Sequence, residues 1–178
     1  MGHEAHRHAA QDKVQVAILV ISDTRKAETD RSGKEIAALL EEAGHEVVAL
    51  DIVPDDATAI RAWIEGKAPQ PEGGPSTSLR CEALILTGGT GIAGRDVTIA
   101  TIEPLLGPVL PGFGELFRML SYEEIGAAAM LSRATAGVVE GRPLFALPGS
   151  RKAVRLAMEK LILPELAHVV YELKKQRT

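Results

Sequence analysis

Two glycine runs and three aspartates carry the clearest chemical signals in this sequence. Thr87-Gly88-Gly89-Thr90-Gly91 continues through Arg95 and Asp96, and Leu147-Pro148-Gly149-Ser150 leads into a helical pattern. Glycine lets backbone N–H groups approach an anion, and a following helix N-terminus adds a favourable dipole. Both runs therefore have the form of a phosphate cradle, although a tight turn with an N-cap has the same form. Asp55, Asp56 and Asp96 could serve Mg²⁺, which binds through one or two carboxylates plus substrate phosphates. Each also stands where aspartate commonly caps a helix. Arg95 and Lys152 lie beside the glycine runs and could place positive charge at a transferring phosphate; the alternative for each is a solvated surface charge.

Other motifs are weaker. Gly89-Thr90-Gly91-Ile92-Ala93-Gly94 is a literal dinucleotide fingerprint between an expected strand and an expected helix. Its strand is the third and not the first, and no clear acidic residue closes the next strand about 20 residues on. No Gly-Lys pair is followed by Ser or Thr, so a Walker A loop is lacking. Ser22 and Ser150 have no obvious histidine partner, and His45 and His168 have none at metal-ligand spacing. Trp63 and Phe117 read as packing residues. Cys81 opens an apolar run and reads as a small buried hydrophobe.

These residues need elements to position them. Val14 to Ile21 is a nearly unbroken apolar run, as in a strand buried on both faces. Thr29 to Ala43 reads as a helix stopped by Gly44. Val47 to Val53 is a second strand, and Ala57 to Glu65 a second helix. Gly66 to Ser78, rich in Pro, Gly and Ser, reads as an exposed loop. Ala83 to Leu86 is a third strand, followed by a helix over Thr98 to Leu106. Gly112 to Glu124 and Ala127 to Arg133 read as short helices. Ala134 to Val139 and Pro143 to Ala146 are strands that can pair as a hairpin around Glu140-Gly141-Arg142. Ser150 to Leu163 is a helix that Pro164 should kink or restart before Glu165 to Lys175. The alternation predicts an α/β fold: a three-layer sandwich with a mostly parallel sheet, helices on both faces and room for one antiparallel hairpin. Residues 1–12, with His3, His6 and His8, read as a frayed tail, and 13–178 as a single domain. Ligands of such sheets bind beyond the carboxyl ends of the strands. Ser22-Asp23-Thr24, Val53-Pro54-Asp55-Asp56 and the two glycine runs all fall there.

Bulk properties narrow the class. The 178 residues carry a formal charge of −4, with 46% hydrophobic and 25% charged residues. That balance argues against a nucleic-acid module, which shows a basic stripe. No apolar stretch reaches the ~18 residues of a membrane span, and no secretory signal is visible, so a cytoplasmic location is expected.

From about Val14 to Leu173 the chain resembles the MoaB/MogA family of molybdopterin adenylyltransferases. The resemblance rests on six motifs in order: Ile21-Ser22-Asp23 with Asp30, Ser32 and Gly33; Val53-Pro54-Asp55-Asp56; Thr87 to Gly91 with Arg95-Asp96-Val97-Thr98; Pro111-Gly112-Phe113-Gly114-Glu115 with Phe117-Arg118 and Ser121; Leu131-Ser132-Arg133-Ala134; and Leu147-Pro148-Gly149-Ser150. One departure is Ile99, where the family usually has Pro. The resemblance implies AMP transfer from Mg-ATP to the terminal phosphate of molybdopterin, with release of pyrophosphate. It implies Asp55 and Asp96 as the catalytic, Mg²⁺-associated carboxylates. It places Gly88, Gly89, Thr90, Gly91, Pro148, Gly149 and Ser150 at phosphates, and Ser22, Asp23, Gly112, Gly114 and Glu115 on the pterin side; Thr87, Arg95 and Lys152 complete the expected substrate- and nucleotide-binding residues. It also implies a homo-trimer or homo-hexamer and a molybdate-inserting enzyme as partner. The apolar segment Ile162, Leu163, Leu166, Val169 and Val170 suits either an interface or the core. Two rival readings remain: a non-catalytic binding or scaffolding member of the same family, and a dinucleotide-binding oxidoreductase.

Overall fold

The computed structural model describes residues 13–67 and 81–175. The expected N-terminal tail and most of the expected Gly66–Ser78 loop lie outside the described residues. The rest forms a five-stranded sheet in the order β2-β1-β3-β5-β4. The strands are β1 Gln15–Ile21, β2 Glu46–Val53, β3 Ala83–Thr87, β4 Thr135–Val139 and β5 Arg142–Leu147. All neighbours are parallel except β4 and β5, which pair antiparallel.

Alternation along the strands sorts side chains to two faces. Val16, Ile18, Ile85, Phe145 and Leu147 pack on one face against α1 (Ser32–Glu42), α4 (Pro111–Ile125), α5 (Arg151–Ala157) and α6 (Leu163–Lys175). Ala17, Leu19, Ile21, Leu84, Leu86, Leu144 and Cys81 pack on the other against α2 (Ala57–Ile64) and α3 (Thr98–Ile102). Helices thus cover both faces, as the alternation predicts, and the strands read as continuous apolar runs for that reason. Cys81 is a core residue whose thiol burial pushes up.

Several boundaries differ from expectation. Helix α1 starts at Ser32 and not Thr29, because the buried Asp30 carboxylate takes the N–H groups of Ser32 and Gly33. Helix α3 ends at Ile102 and passes into a 3₁₀ turn, Glu103–Leu105, which contains Pro104. Gly126–Leu131 is also 3₁₀ and not α. The hairpin turn is two residues long: Glu140 and Gly141 have φ of 49° and 74°, and Arg142 already belongs to β5. Two positive φ values are what a type I′ turn demands, and Glu140 adopts one while its carboxylate pairs with Arg142 at 2.8 Å.

The Pro164 region takes a form the sequence did not specify: an α-helical segment begins at Leu163, with Pro164 in its first turn. A π-helical turn, Met158–Ile162, joins α5 to α6 without interruption. The i→i+5 pattern widens the turn just before the residue that lacks an N–H. Ile162, Leu166 and Val170 on this helix are buried in the core, so they are not available for an interface. Most of the large exposed apolar side chains among the described residues lie elsewhere, on α4 and the turn after it: Leu116, Met119, Tyr122, Ile125, Met130 and Leu131, with Ile92 and Val109 on other loops. Among the described residues, no helix is long and apolar enough to cross a membrane.

Trp63 and Phe117 are fully buried, as their packing role predicts. The Trp63 indole N–H donates to an Asp51 carboxylate oxygen at 2.7 Å, tying α2 to the edge strand β2. A hydrogen bond to a charged group contributes about 1.5–3 kcal/mol. Trp63→Phe is therefore expected to lower the unfolding free energy by at least about 1.5 kcal/mol, seen as a lower urea midpoint at unchanged slope.

Candidate phosphate-binding site

Strand register brings four loops to one rim. Ile21 stands level with Val53, Val20 with Thr87, and Thr87 with Leu147. The chain leaves β1 toward β2 on one side, while β3 lies on the other. The switch in direction therefore falls between β1 and β3, and a crevice opens outside their carboxyl ends. A cleft of about 510 Å³ occupies that place, lined from five segments of chain by Ser22 to Arg25, Asp55, Gly88 to Gly91 with Arg95 and Asp96, Leu131 to Arg133, and Pro148 to Ser150.

Gly88 sits where the strand ends converge. Its φ is 102°, a Cβ there would run into the Ile21 carbonyl oxygen, and its N–H donates to the Leu147 oxygen at 3.1 Å. A Cβ on Gly149 would lie 3.3 Å from the Gly88 Cα. Gly89 has φ of 60°, and its Cβ would meet Thr98 Oγ1 and stand 2.7 Å from Asp55 Oδ1. Thr98 closes the loop from behind: its N–H reaches the Gly89 oxygen at 3.0 Å and its hydroxyl the Gly88 oxygen at 2.9 Å. With its carbonyls tied inward, the loop leaves the N–H groups of Gly89, Thr90 and Gly91 without a protein acceptor among the described residues. Successive free amides in a tight turn form a nest for an anion.

The aspartates divide by role. Asp56 caps α2, its carboxylate taking the Ala59 N–H at 2.8 Å. Asp55 does not cap. Its Oδ2 takes the Asp23 N–H at 3.1 Å, and Asp23 Oδ1 takes the Asp55 N–H at 3.0 Å. This reciprocal pair stitches the exits of β1 and β2 together and fixes both carboxylates at the cleft. Asp96 folds back to take the Ala93 N–H at 2.8 Å, and a Cβ on Gly91 would lie 2.6 Å from its Oδ2. Burial raises the Asp55 carboxyl above the ordinary 3.8; the Asp23 N–H opposes this, Asp23 and Asp96 add to it, and Arg95 opposes it.

Most residues singled out in the sequence come together here: Ser22, Asp23, Asp55, Gly88, Gly89, Thr90, Gly91, Arg95, Asp96, Pro148, Gly149 and Ser150 all line the cleft. Ser150 also caps α5, taking the Ala153 N–H at 3.2 Å. Five others do not line it. Thr87 is fully buried and its hydroxyl donates to the Pro148 oxygen at 3.1 Å. Lys152 is exposed in the first turn of α5, outside the lining. Gly114 and Glu115 line a neighbouring hollow of about 450 Å³ that shares Ser132 and Arg133 with the cleft, and Gly112 lines neither. Sequence reasoning missed Arg25, Ser132 and Arg133 as lining residues. Arg133 donates to the Gly91 oxygen at 3.1 Å, and Arg25 to the Gly149 oxygen at 2.8 Å. Ser132-Arg133 lay inside a recognised motif, which was a usable signal; Arg25 had none beyond its nearness to Asp23.

The fingerprint over Gly89–Gly94 does not build a dinucleotide site. In that motif the third glycine permits close helix–strand packing, whereas a Cβ on Gly94 would meet nothing within 4 Å. The helix that follows has five residues, Thr98–Ile102.

Comparison with known proteins places this geometry. A family model described as "Probable molybdopterin binding domain" matches residues 17–168. The chain is 50% identical over 179 aligned positions to "Molybdenum cofactor biosynthesis protein B" of Bacillus subtilis, covering 99% of this chain and 100% of that one. A crystal structure of a molybdenum cofactor biosynthesis protein B superposes with a TM-score of 0.83 at 47% identity, covering 93% of this chain and 99% of the other. The tungsten cofactor synthesizing protein MoaB of Pyrococcus furiosus superposes with a TM-score of 0.77 at 34% identity, covering 92% and 98%.

Because its carboxyl is raised, Asp55 binds its proton more tightly in the folded than in the unfolded chain. Stability therefore falls as pH rises through the window above 3.8. Asp55→Asn keeps an acceptor for the Asp23 N–H and removes this cost. It is expected to melt higher than the wild type at neutral pH, with the gap closing as pH falls below that window in calorimetry.

Proposed function

The chain belongs to the molybdopterin-binding family of molybdenum cofactor biosynthesis, and from that membership we propose that it adenylylates molybdopterin at the cleft described above. The observation that carries this reading is the meeting of three free glycine-loop amides, Asp55, Asp23 and Asp96, and three arginines, Arg25, Arg95 and Arg133, in one crevice at the switch point. In the reaction, an oxygen of the terminal phosphate of molybdopterin bonds to the α-phosphorus of ATP. The bond from that phosphorus to the bridging oxygen breaks, and pyrophosphate leaves with the electron pair.

The attacking oxygen is already anionic, so no protein base has to activate it. Catalysis is then positioning and charge stabilisation, which suits a cleft whose lining holds no histidine or cysteine. The free amides of Gly89, Thr90 and Gly91 would hold a phosphate, and Arg133 fixes the loop by its bond to Gly91. Asp55 and Asp96 would face the nucleotide's metal. Asp55, whose proton affinity Asp23 and Asp96 raise, would favour a cation such as Mg²⁺, and no ready-made cage of three metal-binding side chains occurs among the described residues. That suits an ion that arrives on a nucleotide and keeps phosphate and water ligands. When bound, Mg²⁺ would neutralise charge on the transferring phosphates. The hollow lined by Gly114, Glu115 and Arg118, continuous through Ser132 and Arg133, offers room for the pterin.

The exposed apolar side chains of α4 support assembly into a homo-oligomer, trimer or hexamer, through that helix and not the C-terminal one. A cytoplasmic site of action and hand-over to a molybdate-inserting enzyme complete the proposal. The protein incubated with molybdopterin and Mg-ATP is expected to release pyrophosphate in step with adenylyl-molybdopterin. Asp55→Asn and Asp96→Asn are each expected to cut the rate by at least about a hundredfold. Folded protein that releases none from intact substrate would leave a binding-only member of the family as the reading.

A further inference from the structure

Behind the wall of the cleft lies a polar construction that the sequence motifs do not explain. Asp30 has a fully buried side chain. Its Oδ1 takes the N–H groups of Ser32 at 3.1 Å and Gly33 at 3.0 Å, while its Oδ2 is buried without a hydrogen-bond partner. Gly33 is required because a Cβ there would run into that Oδ2. An unsatisfied buried oxygen of this kind is costly, so the arrangement calls for a cation nearby. Arg25 is the cation paired with this carboxylate, through its other oxygen: Nη1 lies 3.9 Å from Asp30 Oδ1. Yet Arg25 gives its N–H groups elsewhere: Nη1 to Ser32 Oγ at 3.1 Å and Nη2 to the Gly149 oxygen at 2.8 Å, where Ser32 Oγ also donates at 2.8 Å.

We propose that Arg25 is the cation that receives a substrate phosphate in the cleft, and that Asp30 is the residue that positions it. The carboxylate attracts the guanidinium without capturing its donors. Two of five N–H groups are used on Ser32 and Gly149, and the rest stay open on a side chain that lines the cleft. The bond to Gly149 places the charge beside the second glycine run, so one residue links the β1 exit to the β5 exit in the cleft that the free amides also line. A lysine has no planar fork and cannot span Ser32 and Gly149 while facing the cleft. The inference rests on the adenylylation reading for which phosphate enters, and not for whether one does.

The test is calorimetric titration with inorganic pyrophosphate, standing for the nucleotide's tail, and with glycerol phosphate, standing for the monoester end of the pterin. Wild type, Arg25→Gln, Arg25→Lys, Asp30→Asn and the double variant Arg25→Gln/Asp30→Asn are compared, each checked for a native melt. Arg25→Gln should weaken binding of one of the two probes by about tenfold or more, which identifies the phosphate it meets, and Arg25→Lys should restore only part. Asp30→Asn keeps the acceptor for Ser32 and Gly33; it should weaken the same probe by about threefold or more in the wild type and have no further effect in Arg25→Gln. Two results overturn the proposal: a folded Arg25→Gln that binds both probes as the wild type does, or an Asp30→Asn effect equal in both backgrounds. A wild type that binds neither probe overturns it too. Binding lost in Arg25→Gln, from a wild type that gives no adenylylation, would remove the reaction and leave the role of Arg25 standing.

Discussion

The structure turns on the space above the Ile21 carbonyl. The last oxygen of β1, the backbone of Gly88 at the end of β3 and the Gly149 turn after β5 occupy positions where a single methyl group would collide or crowd. Three strands can end level only because the middle residue has no side chain and can take a positive φ. Once they do, the chain leaves each strand at one height, and residues more than a hundred positions apart share one cleft. The aspartate pair between the β1 and β2 exits and the Arg25 bridge to Gly149 then draw the rim together with polar contacts.

The molecule carries a cost at that rim. Asp23 and Asp96 add to the charge felt by Asp55, and burial pushes that carboxyl further toward its protonated form. Such crowding gives nothing to folding. It makes sense where a cation and an anionic ligand enter together, because each then relieves charge the other could not. Sites built this way trade stability for activity, and the rigid strand ends beneath them tolerate the trade.

How legible was this in the sequence? The strands were plain because β1 and β3 are buried on both faces, and unbroken apolar runs such as Val16 to Ile21 record that burial directly. The glycine loops were plain because tight turns leave few choices of residue. Roles that depend on direction were hidden. Asp55, Asp56 and Asp96 look alike in sequence, yet only Asp56 caps the helix that follows; the others reach sideways or backward to amides the local pattern does not reveal. Arg25 was invisible for a similar reason, since a single loop arginine has no periodicity and acts through a carbonyl 124 residues away. The C-terminal apolar segment could have been surface or core, and only packing against the sheet assigned Ile162, Leu166 and Val170 to the core while leaving Leu163 and Val169 half-buried.

The π turn before Pro164 also explains an odd spacing. Val154, Met158, Ile162, Leu166 and Val170 are all buried and stand at strict intervals of four, longer than the 3.6 residues of an α-helical turn. Over sixteen residues an unbroken α-helix would carry that stripe far around its axis. The wide turn stores one surplus residue and resets the phase, so both halves of the helix face the same core. The helix is therefore one residue longer than its span requires. A relative lacking that residue could wind the same path as plain α-helix, with the cleft-lining start at Ser150 and the core-facing end both undisturbed.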